Sequence, residues 1–120
     1  MNMSESNEMY LETIYCLSEE YEYVRAVDIA TTLKITKASV SIALKRLEAA
    51  GYVFYNDAGT LELTAEGKKC AKKIFERHTV LTRYLKSIGV KEKTAEEDAC
   101  RIEHYISDAT FKAIKDQLKK

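Results

Sequence analysis

The stretch "TKASVSIALKRLEAAGYVFYNDAGTLELT", residues 36–64, constrains the fold more than any other part of the chain. Thr36 is a natural N-cap, Val40, Leu44 and Leu47 recur at helical spacing, and Gly51 supplies a left-handed stop. Two short β-type runs follow around Asn-Asp-Ala-Gly, with Gly59 available for the turn, so the pattern predicts a hairpin. Upstream, residues 4–21 predict a helix with Leu11, Ile14, Tyr15 and Leu17 on its apolar face. The run "VRAVDIATTLKI" predicts a short second helix using Val27, Ile29, Ala30 and Leu33. Three helices and a two-stranded hairpin, in that order, are the elements of a winged helix-turn-helix.

The C-terminal half reads as helix throughout. From Thr64 to Ile88, the residues Ala71, Ile74, His78, Leu81, Leu85 and Ile88 step by three and four. This seam predicts a helix of about 36 Å that favours pairing with another helix. Gly89 ends it. Thr94 and Glu97 have the spacing of a capping box, opening a helix with Ala99, Ile102 and Ile106 toward the core. Ser107 is placed to cap a last helix carrying Phe111, Ile114 and Leu118. The expected fold is therefore mostly α, with a winged helix-turn-helix in residues 1–63 and an all-helical domain in residues 64–120.

With 120 residues and 46% hydrophobic content, the chain can bury a core, and its three irregularly spaced cysteines form no disulfide framework. A cytoplasmic location is expected, with no membrane segment and no signal-peptide pattern. The net charge of zero conceals an asymmetry. Residues 1–63 carry 5 Lys/Arg against 10 Asp/Glu, whereas residues 64–120 carry 14 against 9. Within the acidic half, residues 33–47 hold Lys34, Lys37, Lys45 and Arg46 and no acid. A basic island in an acidic domain points to an anionic partner there.

On a helical wheel, Val40, Ala43, Leu44 and Leu47 face inward, while Lys37, Ser39, Ser41, Ile42, Lys45 and Arg46 spread over the outer surface. With Thr36 at the helix start, these residues form the expected surface for double-stranded DNA. Ser and Lys donate to phosphates and base edges, and Ile42 suits a thymine methyl. No outward Arg, Asn or Gln lies near the helix N-terminus for a bidentate base contact. Sequence reading is therefore expected to draw on apolar contact, water and DNA shape as well. Winged helices also serve as protein-interaction modules, but the basic island favours DNA.

A second feature is chemical. In "EEDACRIEHYISD", residues 96–108, Cys100, Glu103 and His104 stand at i, i+3 and i+4 beside an apolar stripe. The chain has two histidines, and the other, His78, interrupts the seam of the long helix where Leu or Ile would pack better. Met9 and Glu12 share one face of the first helix. A site built by three helices would use both histidines. No glycine-rich loop or nucleophile elbow supports an enzyme. The competing reading is a metal-independent winged-helix regulator with Cys100 and His78 packed in the core. Cys16 and Cys70 read as core residues or bystanders.

"NEMYLETIYCL" near the N-terminus, the helix-turn-helix, "RH" at residues 77–78 and "EEDACRIEHYISD" resemble the metal-dependent repressors of the diphtheria toxin repressor family. That family includes iron-dependent regulators and manganese transport regulators, and the likeness covers nearly the whole chain in a short form without the SH3-like domain of longer members. The resemblance implies a homodimeric repressor that binds palindromic operators when loaded with Fe(II) or Mn(II), controlling metal homeostasis. It implies that Met9, Cys100, Glu103 and His104 correspond to the primary site of the iron branch. The manganese branch has carboxylates where this chain has Met9 and Cys100. His78 matches a second-site ligand in the iron branch and a paired-site ligand in the manganese branch, and Glu12 matches a ligand of the manganese branch only. Thr82 and Glu96 replace further second-site ligands of the iron branch. That site is thus rebuilt from His78 with Glu12 or Glu96, or is vacant. Ile42 stands where relatives carry a polar side chain.

Donor chemistry bears on the metal. A thioether and a thiol beside one carboxylate and one imidazole make a mixed soft and borderline set, whereas Mn(II) prefers oxygen. Fe(II) is the expected ion, with Mn(II) second and Zn(II) third, and with Co(II) or Ni(II) able to substitute in vitro. Because Met9 lies in the first half and the other ligands in the second, metal binding is expected to select a DNA-competent separation of the two recognition helices of a dimer.

Overall fold

A computed structural model describes residues 4–119. Contacts divide the chain into two compact units, Met1–Lys72 and Lys73–Lys120. The first begins with α1 (Glu5–Glu20), α2 (Ala26–Leu33) and α3 (Lys37–Ala49), continues through strands β1 (Val53–Tyr55) and β2 (Leu61–Leu63), and ends in the opening turns of α4 (Ala65–Ser87). The second holds the remainder of α4 with α5 (Glu92–Ile102) and α6 (Asp108–Leu118). The helix-and-hairpin order matches the expectation. The unit boundary lies inside α4, past residue 63 where the sequence pattern changes.

In the first unit, caps and apolar spacing define the helices together. Ser4 Oγ accepts from Asn7 N–H at the start of α1, and Thr36 Oγ1 accepts from Ser39 N–H at the start of α3. The Arg25 N–H donates to the Asp28 carboxylate at 2.9 Å, tightening the first turn of α2. Lys34 closes that helix in the left-handed region at φ 58°, the one non-glycine residue to do so among those described. Leu11, Ile14, Ile29, Val40, Leu44 and Leu47 are essentially sealed from solvent and form one core with Val53 and Leu61. Each such side chain stabilises the unit by roughly 1.5–3 kcal/mol relative to leaving it exposed. Val27 faces outward, leaving Ile29 and Ala30 as the buried residues of α2, a narrower apolar face than expected.

The hairpin is antiparallel, with Val53 opposite Leu63, Phe54 opposite Glu62 and Tyr55 opposite Leu61. Val53 and Leu61 are buried, whereas Phe54 and Tyr55 are exposed. Asn56 organises the tip: its amide donates to Thr60 Oγ1 and Glu62 Oε2, and its carbonyl accepts from the N–H groups of Ala58 and Thr60. Gly59 takes φ 78°, which a side chain would oppose. The hairpin leads into α4 through Thr64, whose hydroxyl donates to Gly51 O at 2.6 Å and accepts from Gly67 N–H. Gly67 is required by proximity: a Cβ there would lie 2.0 Å from Tyr52 O.

In the second unit, Ile74, Arg77, Val80 and Leu81 form the buried face of α4. The expected seam is thus displaced at its centre, where Arg77 is more buried than His78, and it lapses at its end, where Ile88 is 60% exposed. Gly89 ends α4 with φ 100°, and Val90 N–H returns to Leu85 O at 3.0 Å. α5 starts at Glu92 after Lys91, so Thr94 lies inside the helix and the expected capping box does not form its start. Its buried positions are Ala95, Ala99 and then Glu103, at steps of four, while Ile102 is turned outward. Ser107 caps α6 as expected, accepting from Thr110 N–H, and Phe111 is buried. Among the described residues, no helix is long and apolar enough to cross a membrane.

Candidate metal centre and nucleic-acid interface

The last turn of α5 delivers a carboxylate where a hydrophobic side chain is the usual occupant. Glu103 is the C-cap residue, still in the right-handed helical region, so the spacing Ala95–Ala99–Glu103 carries it onto the buried face. It is 0% exposed, and neither carboxylate oxygen accepts a hydrogen bond among the described residues. Two imidazoles flank it. His78 Nδ1 lies 3.2 Å from Oε2, and His104 Nε2 lies 3.5 Å from Oε1, with the His104 side chain as deeply buried as the carboxylate. Burying an ionised carboxylate is costly unless a cation is supplied. The nearest guanidinium, Arg77, directs its donors to the Glu103 and Ile106 main-chain oxygens and to Asp108, and none to the Glu103 side chain. Oxygen and imidazole nitrogen around an unsatisfied buried carboxylate fit a divalent cation.

Cys100 is separated from this cluster in solvent access. It is exposed and lines an open hollow of about 510 Å³ with His78, Glu96, Glu97 and Arg101. Helical spacing places Cys100 beside Glu103 and His104, yet Glu103 and the His104 imidazole turn inward while Cys100 shares its surroundings with His78 and Glu96. Met9 and Glu12 belong to α1 in the first unit, half-buried on a face next to the core positions Tyr10 and Leu11. Arg77 stands in the "RH" pair of the sequence, where only His78 drew a role. The available signal was its spacing, three after Ile74 and four before Leu81, which places it on the buried face.

The residues expected to contact DNA lie at the N-cap and along the solvent side of α3. Thr36, Lys37, Ser39, Ser41, Ile42, Lys45 and Arg46 are all exposed, and Ile42 is 67% so. Three of these side chains are already tethered. The Thr36 hydroxyl donates to Ser39 Oγ at 2.9 Å while capping the helix, and Arg46 donates twice to Asn7 Oδ1.

A winged helix with a basic outer face, joined to helices that enclose an unsatisfied carboxylate between imidazoles, defines a metal-responsive DNA-binding regulator. Comparison with known families agrees. Residues 2–61 match the family described as iron dependent repressor, N-terminal DNA binding domain, and residues 64–120 match iron dependent repressor, metal binding and dimerisation domain. The chain belongs to the iron-dependent repressor family, a family of transcriptional regulators and not of enzymes.

Among relatives, it is 39% identical over 102 residues to the HTH-type transcriptional regulator MntR of Bacillus subtilis, covering 85% of this chain and 72% of that protein. It is 36% identical over 115 residues to an uncharacterized HTH-type transcriptional regulator of Methanocaldococcus jannaschii, covering 94% and 92%. Among solved structures, the manganese regulator SloR superposes with a TM-score of 0.85 at 25% identity over 98% of this chain. The chain spans about half, 55%, of the SloR chain.

Proposed function

We propose that the chain is a cytoplasmic, homodimeric transcriptional repressor that binds a palindromic operator when loaded with a divalent transition metal. The observation that carries this reading is Glu103, a sealed carboxylate that accepts no hydrogen bond among the described residues and is set between His78 and His104. A bound divalent ion would supply positive charge to this buried carboxylate and take the two imidazoles as further ligands. Glu103, His104 and His78 are proposed as ligands on their geometry. Cys100 joins them on the His78 side, where it lines the same hollow, and Glu96 is a candidate there too. Met9 and Glu12 are proposed as further ligands on the family resemblance alone. On this reading, residues 1–63 carry DNA recognition and residues 64–120 carry metal binding and dimerisation. Thr36, Lys37, Ser39, Ser41, Ile42, Lys45 and Arg46 form the DNA-contacting surface.

For the activating ion we propose Fe(II), on the softness of a site that includes Cys100 and Met9. Mn(II) is the second reading, favoured by the naming of SloR as a manganese regulator and by the oxygen and nitrogen character of the two deepest ligands. An anaerobic titration of the reduced apo protein with Fe(II) and Mn(II), followed by operator anisotropy, tests both. Fe(II) activating at lower free concentration supports the first reading, and activation by Mn(II) alone overturns it. Glu103→Gln is expected to abolish activation by either ion. Wild-type DNA binding that ignores both ions would leave a metal-independent winged-helix regulator.

A further inference from the structure

We infer that Arg77 is a positioning residue that sets where Glu103 and His104 present their side chains to a bound cation. The inference rests on the metal-centre reading above. Its basis is one buried guanidinium with three separate acceptors. Arg77 is 7% exposed, and one terminal nitrogen donates to Glu103 O at 3.1 Å and to Ile106 O at 2.8 Å. The other terminal nitrogen is hydrogen-bonded to Asp108, and the guanidinium lies 5.7 Å from the Phe111 ring centroid.

The acceptors explain why this contact matters to the site. α5 ends at Ile102, and the carbonyls beyond the last turn of a helix have no partner within it. Arg77 takes the carbonyls of residues 103 and 106, and so brackets the short turn that contains His104. The adjacent residue on α4, His78, faces the Glu103 carboxylate at 3.2 Å. α4 therefore holds Glu103 twice, by its main chain through Arg77 and beside its side chain through His78.

The arrangement also keeps the carboxylate available. A buried arginine this close to a buried glutamate is ordinarily its ion-pair partner. Here the charge is matched by Asp108, with Lys73 Nζ also 3.4 Å from that carboxylate, and no Arg77 donor is spent on the Glu103 side chain. A lysine cannot reproduce the contact. Its single ammonium lacks the planar fork that reaches two carbonyls and a carboxylate in different directions.

The test is an anaerobic Co(II) titration of the full chain against a chelator, with absorption spectra of the loaded protein, for wild type, Arg77→Met and Arg77→Lys. Apo melting curves run alongside. Both variants are expected to bind Co(II) at least tenfold more weakly and to show an altered ligand-field spectrum at saturation, with lysine failing to rescue. A purely structural role would lower the melting temperature and leave the spectrum of the folded protein unchanged. Folded variants with wild-type affinity and spectrum would therefore overturn the inference while leaving the metal centre intact. A second measurement needs no variant: the side-chain NMR signal of Arg77 in wild type is expected to shift on Zn(II) loading, saturating with the bound ion. No shift would count against the inference. Absence of saturable Co(II) binding by wild type, or binding by Glu103→Gln equal to wild type, would remove the metal centre and this inference together.

Discussion

Asn7 Oδ1 accepts two hydrogen bonds from Arg46, from Nε at 3.1 Å and from Nη2 at 2.8 Å. The outer end of α3 is thereby tied to the first turn of α1, two residues before Met9. Arg46 is exposed and Asn7 half-buried, so the contact orients a side chain more than it stabilises the unit. If Arg46 meets a phosphate, Arg46→Ala weakens specific and non-specific DNA alike. The slope of log K against log salt is expected to fall by about 0.9 per subunit. Fluorescence anisotropy across a salt series measures this. A loss confined to one operator sequence would instead make Arg46 a base reader.

Gly67 sits where α4 starts against the Tyr52 carbonyl. Gly67→Ala forces a methyl into backbone, 2.0 Å from Tyr52 O, and no flexible side-chain end can yield there. We expect a loss of about 1–3 kcal/mol in urea unfolding. An unchanged midpoint would mean that the hairpin and α4 separate without cost.

Asp108 gives the second unit an acid-sensitive contact. Its carboxyl is held below the usual aspartate range, first by the hydrogen bond from Arg77 and then by the charge of Lys73. A depressed folded pKa contributes stability that is fully present above the unfolded value and is lost as pH falls through the folded one. Stability is thus expected to drop below about pH 4. Asp108→Asn should be less stable than wild type at neutral pH, with the difference narrowing toward pH 3. Thermal melts across that window decide it, and a constant difference would assign the effect to helix capping alone.

Cys100 separates two arrangements of the metal ligands. A sulfur-to-cobalt charge-transfer band in wild type, lost in Cys100→Ser with less than a tenfold change in affinity, is expected if Cys100 joins His78 at the edge of the site. Loss of both band and binding would place Cys100 among the central ligands.

Most of the architecture was legible because local signals agreed with one another. Thr36, Val40, Leu44, Leu47, Gly51 and Gly59 each marked a cap, a face or a turn, and each occupies the expected place. The C-terminal half was harder to read. Ile102 drew the core assignment by its hydrophobicity, but Ala95 and Ala99 set the buried line of α5, and one more step of four lands on Glu103. Arg77 drew no role, although its "RH" pair did stand out, because an arginine on a mixed helix reads as surface. Its burial depends on two carbonyls and Asp108, acceptors 26 to 31 residues away in the chain. Motif spacing grouped Cys100 with Glu103 and His104, yet exposure divides them.

The thirteen residues of α3 keep their inward and outward roles on separate positions. Val40, Ala43, Leu44 and Leu47 are committed to the core, while Lys37, Ser39, Ser41, Ile42, Lys45 and Arg46 bear almost none of its packing. Selection can therefore act on the two sets independently. If the outer set meets the operator as proposed, substitutions that alter recognition fall on positions whose exchange costs the core little, so binding preference and folding stability vary separately.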